Sequence, residues 1–230
     1  MNYLKTTLLL FVFSFSIYSQ ENFNLNTAET FEIVKIIAQK NNQRKIDFSK
    51  MSGSPYSMKS FVLGKVEREN QKASANLLLR YNGYNDEIEI GKTTSQETSE
   101  EALLKDKNLR ATFNNKTYQY ITFTSKKGET MDGYLIILSR GENYQLYRQD
   151  KKKLSEGRLA ITSLGKDIAP RFKEVQSFYL AKGNSLPNEI DLKMKSIRKQ
   201  LRTEDILKSG EIKKIKTEEK LIVFLKSLEQ

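Results

Sequence analysis

From residue 60 to residue 180 apolar and polar positions alternate in short runs, and pairs of turn-forming residues separate the runs. Residues 60–67 read as a strand, 69–72 as a polar hairpin loop and 75–81 as the return strand. Asn82-Gly83 then signals a turn. Residues 87–90 alternate strictly, which places Ile88 and Ile90 on one face and Glu87 and Glu89 on the other and predicts one dry face and one wet face. Residues 93–101 are a polar loop, and 102–106 a turn or short strand. Residues 110–113 and 117–124 flank Asn114-Asn115 as a further hairpin. Residues 126–129 turn into a strand at 131–139, and 140–142 into one at 144–148. The charged stretch 150–153 is read as a break with a loop charge cluster. Residues 171–180 form the last strand of this region, with Phe172, Phe178 and Leu180 on one face. Strands at this spacing predict an antiparallel meander. The long crossovers of a parallel sheet are missing from the pattern.

Both ends change period. Asn26 and Glu29 have capping-box spacing, and Phe31, Val34, Ile37 and Ala38 would share a helical face. Ile33 and Ile36 interrupt that stripe, so the expectation is a helix with a strand as the alternative. Residues 51–56 hold Gly53 and Pro55 and read as a turn. After a loop at 183–187, Met194, Ile197 and Leu201 recur at helical spacing, as do Leu221, Phe224, Leu225 and Leu228. Thr217 ahead of Glu218 and Glu219 is an N-terminal cap with acids at the positive end of the helix dipole. The expected fold is mainly β (α+β): an antiparallel meander sheet, with a half-barrel as its curved form, an N-terminal helix and short amphipathic C-terminal helices.

Met1 to Lys5 carries one cation, a mainly apolar run extends from Leu8 through Phe15 and on to Ile17 with Ser14 and Ser16 inside it, and a polar stretch begins at Ser19. That order is the pattern of a secretory signal peptide, and the run is shorter than the roughly 20 residues a membrane span needs. The expected organisation is a leader over 1–19, a helical or extended segment over 20–50, a β domain over 51–183 and a helical region over 184–230 packed on it. No later run is long and apolar enough to cross a bilayer, so the processed chain is expected in the periplasm, at the outer membrane or outside the cell.

Composition narrows the chemistry. The chain has no cysteine and no histidine. Disulfides, thiol nucleophiles, thiolate metal sites and imidazole proton relays are therefore closed to it. Carboxylate chemistry of the glycosidase kind stays open. The net charge is +11. Such a balance reads first as a solubilising lysine-rich surface, and as the alternative a patch for anionic surfaces, which for an exported protein means anionic lipid or glycan rather than nucleic acid.

Three segments together resemble a known group. Gly53-Ser-Pro-Tyr56, Phe61-Val-Leu-Gly-Lys65 and Leu79-Arg-Tyr-Asn-Gly-Tyr-Asn-Asp-Glu-Ile-Glu89 are similar to a group of exported Bacteroidota proteins of unknown function. In that group a GSPY-like turn precedes a hairpin ending in an RYNxYxDExE segment. The likeness extends from about residue 47 to the C-terminus, through Gly133-Tyr-Leu135, Tyr144-Gln-Leu-Tyr147 and the Leu-rich tail. It implies export and this architecture, and it supplies no catalytic residues. Gly83 stands where the group has a bulkier or acidic residue, and is read as sharpening the turn.

The densest polar cluster is Arg80, Tyr81, Asn82, Tyr84, Asn85, Asp86, Glu87 and Glu89. As chemistry, Asp86, Glu87 or Glu89 would serve as acid or nucleophile on an envelope glycan. As structure, Arg80 would bridge Asp86 or Glu87 across the hairpin while Asn and Asp supply turn hydrogen bonds, and this reading is favoured. The oxygen-rich loop lacks any calcium-loop spacing, so no metal is assigned, and no cofactor is expected. Lys195, Arg198, Lys199 and Arg202 recur at helical spacing as a candidate contact for an anionic lipid surface, weighed against a plain solvated face. Tyr118, Tyr120, Tyr134, Tyr144 and Tyr147 are aromatic strand positions able to line a ligand face, though packing is the commoner use. The expected function is a non-enzymatic binding or structural module of the envelope, with an envelope protein, a glycan or an anionic lipid surface as its partner and no nucleic acid. The alternatives are the glycan hydrolase and a half-barrel carrier of a lipid-like ligand.

Overall fold

A computed structural model of the chain describes residues 36–39, 51–69, 74–158, 167–208 and 214–229. The leader, most of segment 20–50 and the break near Gly210 lie outside the described residues. The strands are β1 (Ile37–Gln39), β2 (Val62–Arg68), β3 (Ser74–Asn82), β4 (Glu87–Gly91), β5 (Glu101–Leu103), β6 (Leu109–Phe113), β7 (Lys116–Thr124), β8 (Thr130–Arg140), β9 (Tyr144–Ser155), β10 (Arg171–Lys182) and β11 (Asn188–Ile190). Among the described residues three helices follow: α1 (Met194–Arg198), α2 (Thr203–Lys208) and α3 (Glu218–Ser227). The protein is mainly β, as the alternation predicts.

One sheet holds all eleven strands, in the order β1-β5-β4-β3-β2-β6-β7-β11-β10-β9-β8, with β7 also paired to β8. Every pairing is antiparallel except that of β11 with β7, a single parallel pair of Asn188 with Thr124. Through that pair the run β7-β8-β9-β10-β11 returns to its own start. The β6–β7 hairpin turns on Asn114 (φ 49°) and Asn115 (φ 56°), the two left-handed residues that a tight two-residue hairpin requires.

Three hydrophobic cores result. The first lies among β2–β8 and contains Val66, Leu79, Tyr81, Ile88, Ile90, Leu109, Phe113, Tyr118, Tyr134 and Ile136. The second fills the curled half with Phe123, Leu135, Tyr147, Tyr179 and Ala181. The third joins Tyr144, Leu146, Leu180 and Ile190 to Met194, Ile197, Leu201, Leu221, Phe224, Leu225 and Leu228 of the helical region. Adjacent residues of β7 and β8 therefore point into different cores. That is why 134–138 is apolar without interruption: a strand buried on both faces need not alternate.

Several expectations need correction. Ile37–Gln39, placed on a helix, is a strand paired with β5. The β-branched cluster around it suits an extended edge better than a helix. The stretch 150–153 does not break the sheet, since β9 runs through it to Ser155 in register with β10. Lysine stems tolerate a strand, and Lys152 meets Glu174 on the neighbour at 2.8 Å. β11 lies just past the expected loop at 183–187, where the sequence reading assigns no element. It is only three residues long, too short to show a period. The helix after residue 193 ends at Arg198. Thr217 caps α3 as expected, its hydroxyl accepting from the Lys220 N–H. Among the described residues no helix is long and apolar enough to cross a membrane, which leaves strand-built spans untouched.

Candidate functional site

The polar cluster sits on β3, β4 and the turn between them. Arg80 and Glu89 are directly opposed in the ladder and each is 1% exposed. Glu89 therefore does not line a wet face. Arg80 Nη2 meets Glu89 Oε2 at 2.6 Å, so the arginine's acidic partner is Glu89 rather than Asp86 or Glu87. The guanidinium also donates to the carbonyls of Lys59 (2.8 Å), Glu97 (2.9 Å) and Gln96 (3.4 Å). Tyr56 and Phe61 flank it, their ring centres 3.6 Å and 4.0 Å from its central carbon. Asn82 Nδ2 donates to the other Glu89 oxygen at 3.0 Å. Both carboxylate oxygens are thus engaged, and the guanidinium is enclosed by acceptors and π faces, the arrangement a buried charge needs.

The turn at 83–86 forms a wedge. β8 and β9 pair only from Ile136–Arg140 to Gln145–Arg148, then part. The turn enters the gap. Lys152 N–H of β9 donates to the Gly83 carbonyl at 2.9 Å, and Tyr134 N–H of β8 donates to the Asp86 carboxylate at 3.1 Å. Asp86 also accepts from the Tyr81 hydroxyl at 2.7 Å. Asn82 Oδ1 accepts from the N–H groups of Tyr84 and Asn85, closing the turn. Burial pushes the Asp86 carboxyl above its ordinary value, while Tyr81, Tyr134 and more distant lysines pull it back. The left-handed residue here is Asp86 (φ 54°), not Gly83. Gly83 is needed for closeness, since a Cβ there would lie 2.9 Å from the Asp150 carbonyl and 3.1 Å from the Lys152 nitrogen. Tyr84 packs edge-on against Phe172 at 5.4 Å. Glu87 is half-buried at the start of β4.

The cluster is therefore brought together, but as a joint. Two further networks escaped the sequence reading because their members are far apart in the chain. Asp150, 2% exposed, is held by Arg148 (2.8 Å) and Lys116 (3.0 Å), and Arg148 reaches on to Glu218 of α3. The Tyr144 hydroxyl donates to buried Asp205 at 2.6 Å and accepts from the Arg202 N–H at 2.9 Å. Burial and Asp205 raise the Tyr144 phenol to about 12. Only the alternation of Tyr144 and Leu146 hinted at a packed face there.

The basic quartet is not one helical stripe. Lys195 and Lys199 are exposed, Arg198 is half-buried at the end of α1, and Arg202 lies beyond that helix. Of the five tyrosines, Tyr118, Tyr134, Tyr144 and Tyr147 are core residues and Tyr120 is half-buried, stacked edge-on with Tyr134. The inner space of the curled half, where a lipid tail would lie, is occupied by the second core. An open cleft of about 550 Å³ lies between the β8–β9 hairpin and the end of α3, lined by Arg140, Glu142, Tyr144, Leu225, Lys226 and Glu229. Glu229 is fixed there by the N–H groups of Asn143 and Tyr144. Among the described residues no group of three acids stands close enough together to hold a metal ion. No protein-family model, curated protein or solved structure matches this chain.

Proposed function

We propose that this chain is an exported, non-enzymatic binding module of the bacterial cell envelope. The observation that carries the reading is the internal satisfaction of two of the cluster's carboxylates, Glu89 and Asp86. Glu89 has both oxygens committed to Arg80 and Asn82, and Asp86 accepts from Tyr81 and Tyr134. A glycosidase needs two carboxyls facing a substrate, one to protonate the leaving oxygen and one to attack or activate water. Groups bound this way to their own scaffold have no free face for a sugar. The leader pattern at 1–19 supports export, and the +11 charge supports an anionic partner.

Fractionation of producing bacteria tests the location. The expected result is a species shortened at or near Ser19 and recovered outside the inner membrane. Recovery of the unshortened chain in the cytosol would overturn the reading.

A further inference from the structure

Beyond the point where β8 and β9 part, β9 and β10 continue together as a two-stranded ribbon, from the Gln149–Ser177 pair to the Ser155–Arg171 pair. Directly opposed residues of an antiparallel pair share a face. One face carries Asp150, Lys152, Leu154, Phe172, Glu174 and Gln176. It holds two acids and one lysine, is crossed by the Lys152–Glu174 ion pair, and is covered in part by Tyr84 and by Gly53, whose backbone lies against Phe172. The other face carries Lys151, Lys153, Arg171 and Lys173, with Ser155 and Val175 between them.

On this second face Lys153 stands directly opposite Lys173, and both are exposed, as is Arg171. Like charges directly opposed across a ladder destabilise it. No acid shares the face. Among the described residues none of the four cations forms an ion pair, and Lys151 acts on Asp86 of the β3–β4 turn only at longer range. The repulsion is thus left in place where one glutamate would have removed it.

We propose that this face binds a linear anionic polysaccharide. Same-face positions along a strand repeat at about 7 Å and the opposed pair stands about 5 Å across. The result is a strip two strands wide with cations in file, matching a single chain of carboxylate or sulfate groups. The face presents no aromatic ring on which a base would stack, unlike surfaces that take single-stranded nucleic acid. It also lacks an exposed large apolar side chain that would enter a membrane interface. The inference rests on the binding-module reading and names its ligand class. Failure of export would show in cell fractionation, whereas failure of this inference shows in binding by the purified chain.

The test is titration of the purified chain with heparin as the probe, in parallel with duplex DNA and with phosphatidylglycerol vesicles, at fixed ionic strength. The double variant Lys153→Glu with Lys173→Glu is compared with Lys92→Glu with Lys127→Glu, which changes net charge equally at exposed positions elsewhere. The milder pair Lys153→Gln with Lys173→Gln guards against loss of fold, checked by circular dichroism. The expected result is heparin affinity lowered about ten-fold or more by the ribbon variants and little changed by the control pair. Equal losses in both pairs, no loss in either, or tighter binding of DNA or vesicles than of heparin would overturn the proposal.

Discussion

At the scale of single residues, the buried carboxylates separate by what surrounds them. Glu89 lies against a guanidinium, whereas Asp86 is held by a phenol and a backbone N–H with only distant lysines for charge. Desolvation therefore wins at Asp86 and its carboxyl holds its proton above the ordinary value of 3.8. Between 3.8 and the raised folded value, the native state binds more proton than the unfolded chain. Each step up in pH through that window thus lowers stability, and the loss is complete above the folded value. Asp86→Asn keeps an oxygen to accept from Tyr81 and Tyr134 and removes the titration. The stability of Asp86→Asn relative to the parent should rise across the window and then level off, as read from urea midpoints at a series of pH values. A constant difference would show that Asp86 is ordinarily solvated. Asp106 acts in the opposite sense. Its carboxyl is held low, by the Asn108 backbone N–H first and by Arg68, so its contribution is present above 3.8 and is lost as pH falls through the lowered folded value.

At the scale of elements, the β3–β4 turn decides how the two halves of the sheet meet. It fills the gap where β8 and β9 diverge, and Gly83 permits the approach. Gly83→Val would drive side-chain carbon into the Asp150 carbonyl and the Lys152 backbone. A cost of about 1–3 kcal/mol is expected, with faster amide exchange at Lys152 and Tyr134, whose N–H groups face the turn. Unchanged exchange at both amides would show that the turn is not a wedge. The sequence announces this turn through Asn82-Gly83 but not its partner strands, because the contact joins residues about fifty to seventy positions apart. The hairpins, the helix cap at Thr217 and the buried faces of α3 were legible because each is fixed by neighbours in the chain. The extension of β9 through Lys151–Lys153 was not, since a strand there is held by register with β10 rather than by an apolar period. The candidate cluster was legible as a cluster. That Glu89 is buried could not be read from alternation, because β4 is enclosed on both faces.

At the scale of the whole molecule, three cores share one continuous sheet, and buried ionic groups occupy the joins between segments. Arg80 ties β3 and β4 to the 59–61 and 96–97 segments, while the Arg148–Asp150–Lys116 group ties β9 to β7 and, through Glu218, to α3. The central claim is that the Arg80–Glu89 cluster holds the fold together rather than serving a reaction. Replacing a catalytic group commonly leaves stability unchanged or raises it, because function is bought with strain. Removing one partner of a buried ion pair lowers it by about 3–5 kcal/mol. The direct measurement is the unfolding free energy of Glu89→Gln by denaturant titration. A loss of that size is predicted, and a variant as stable as the parent or more so would contradict the account.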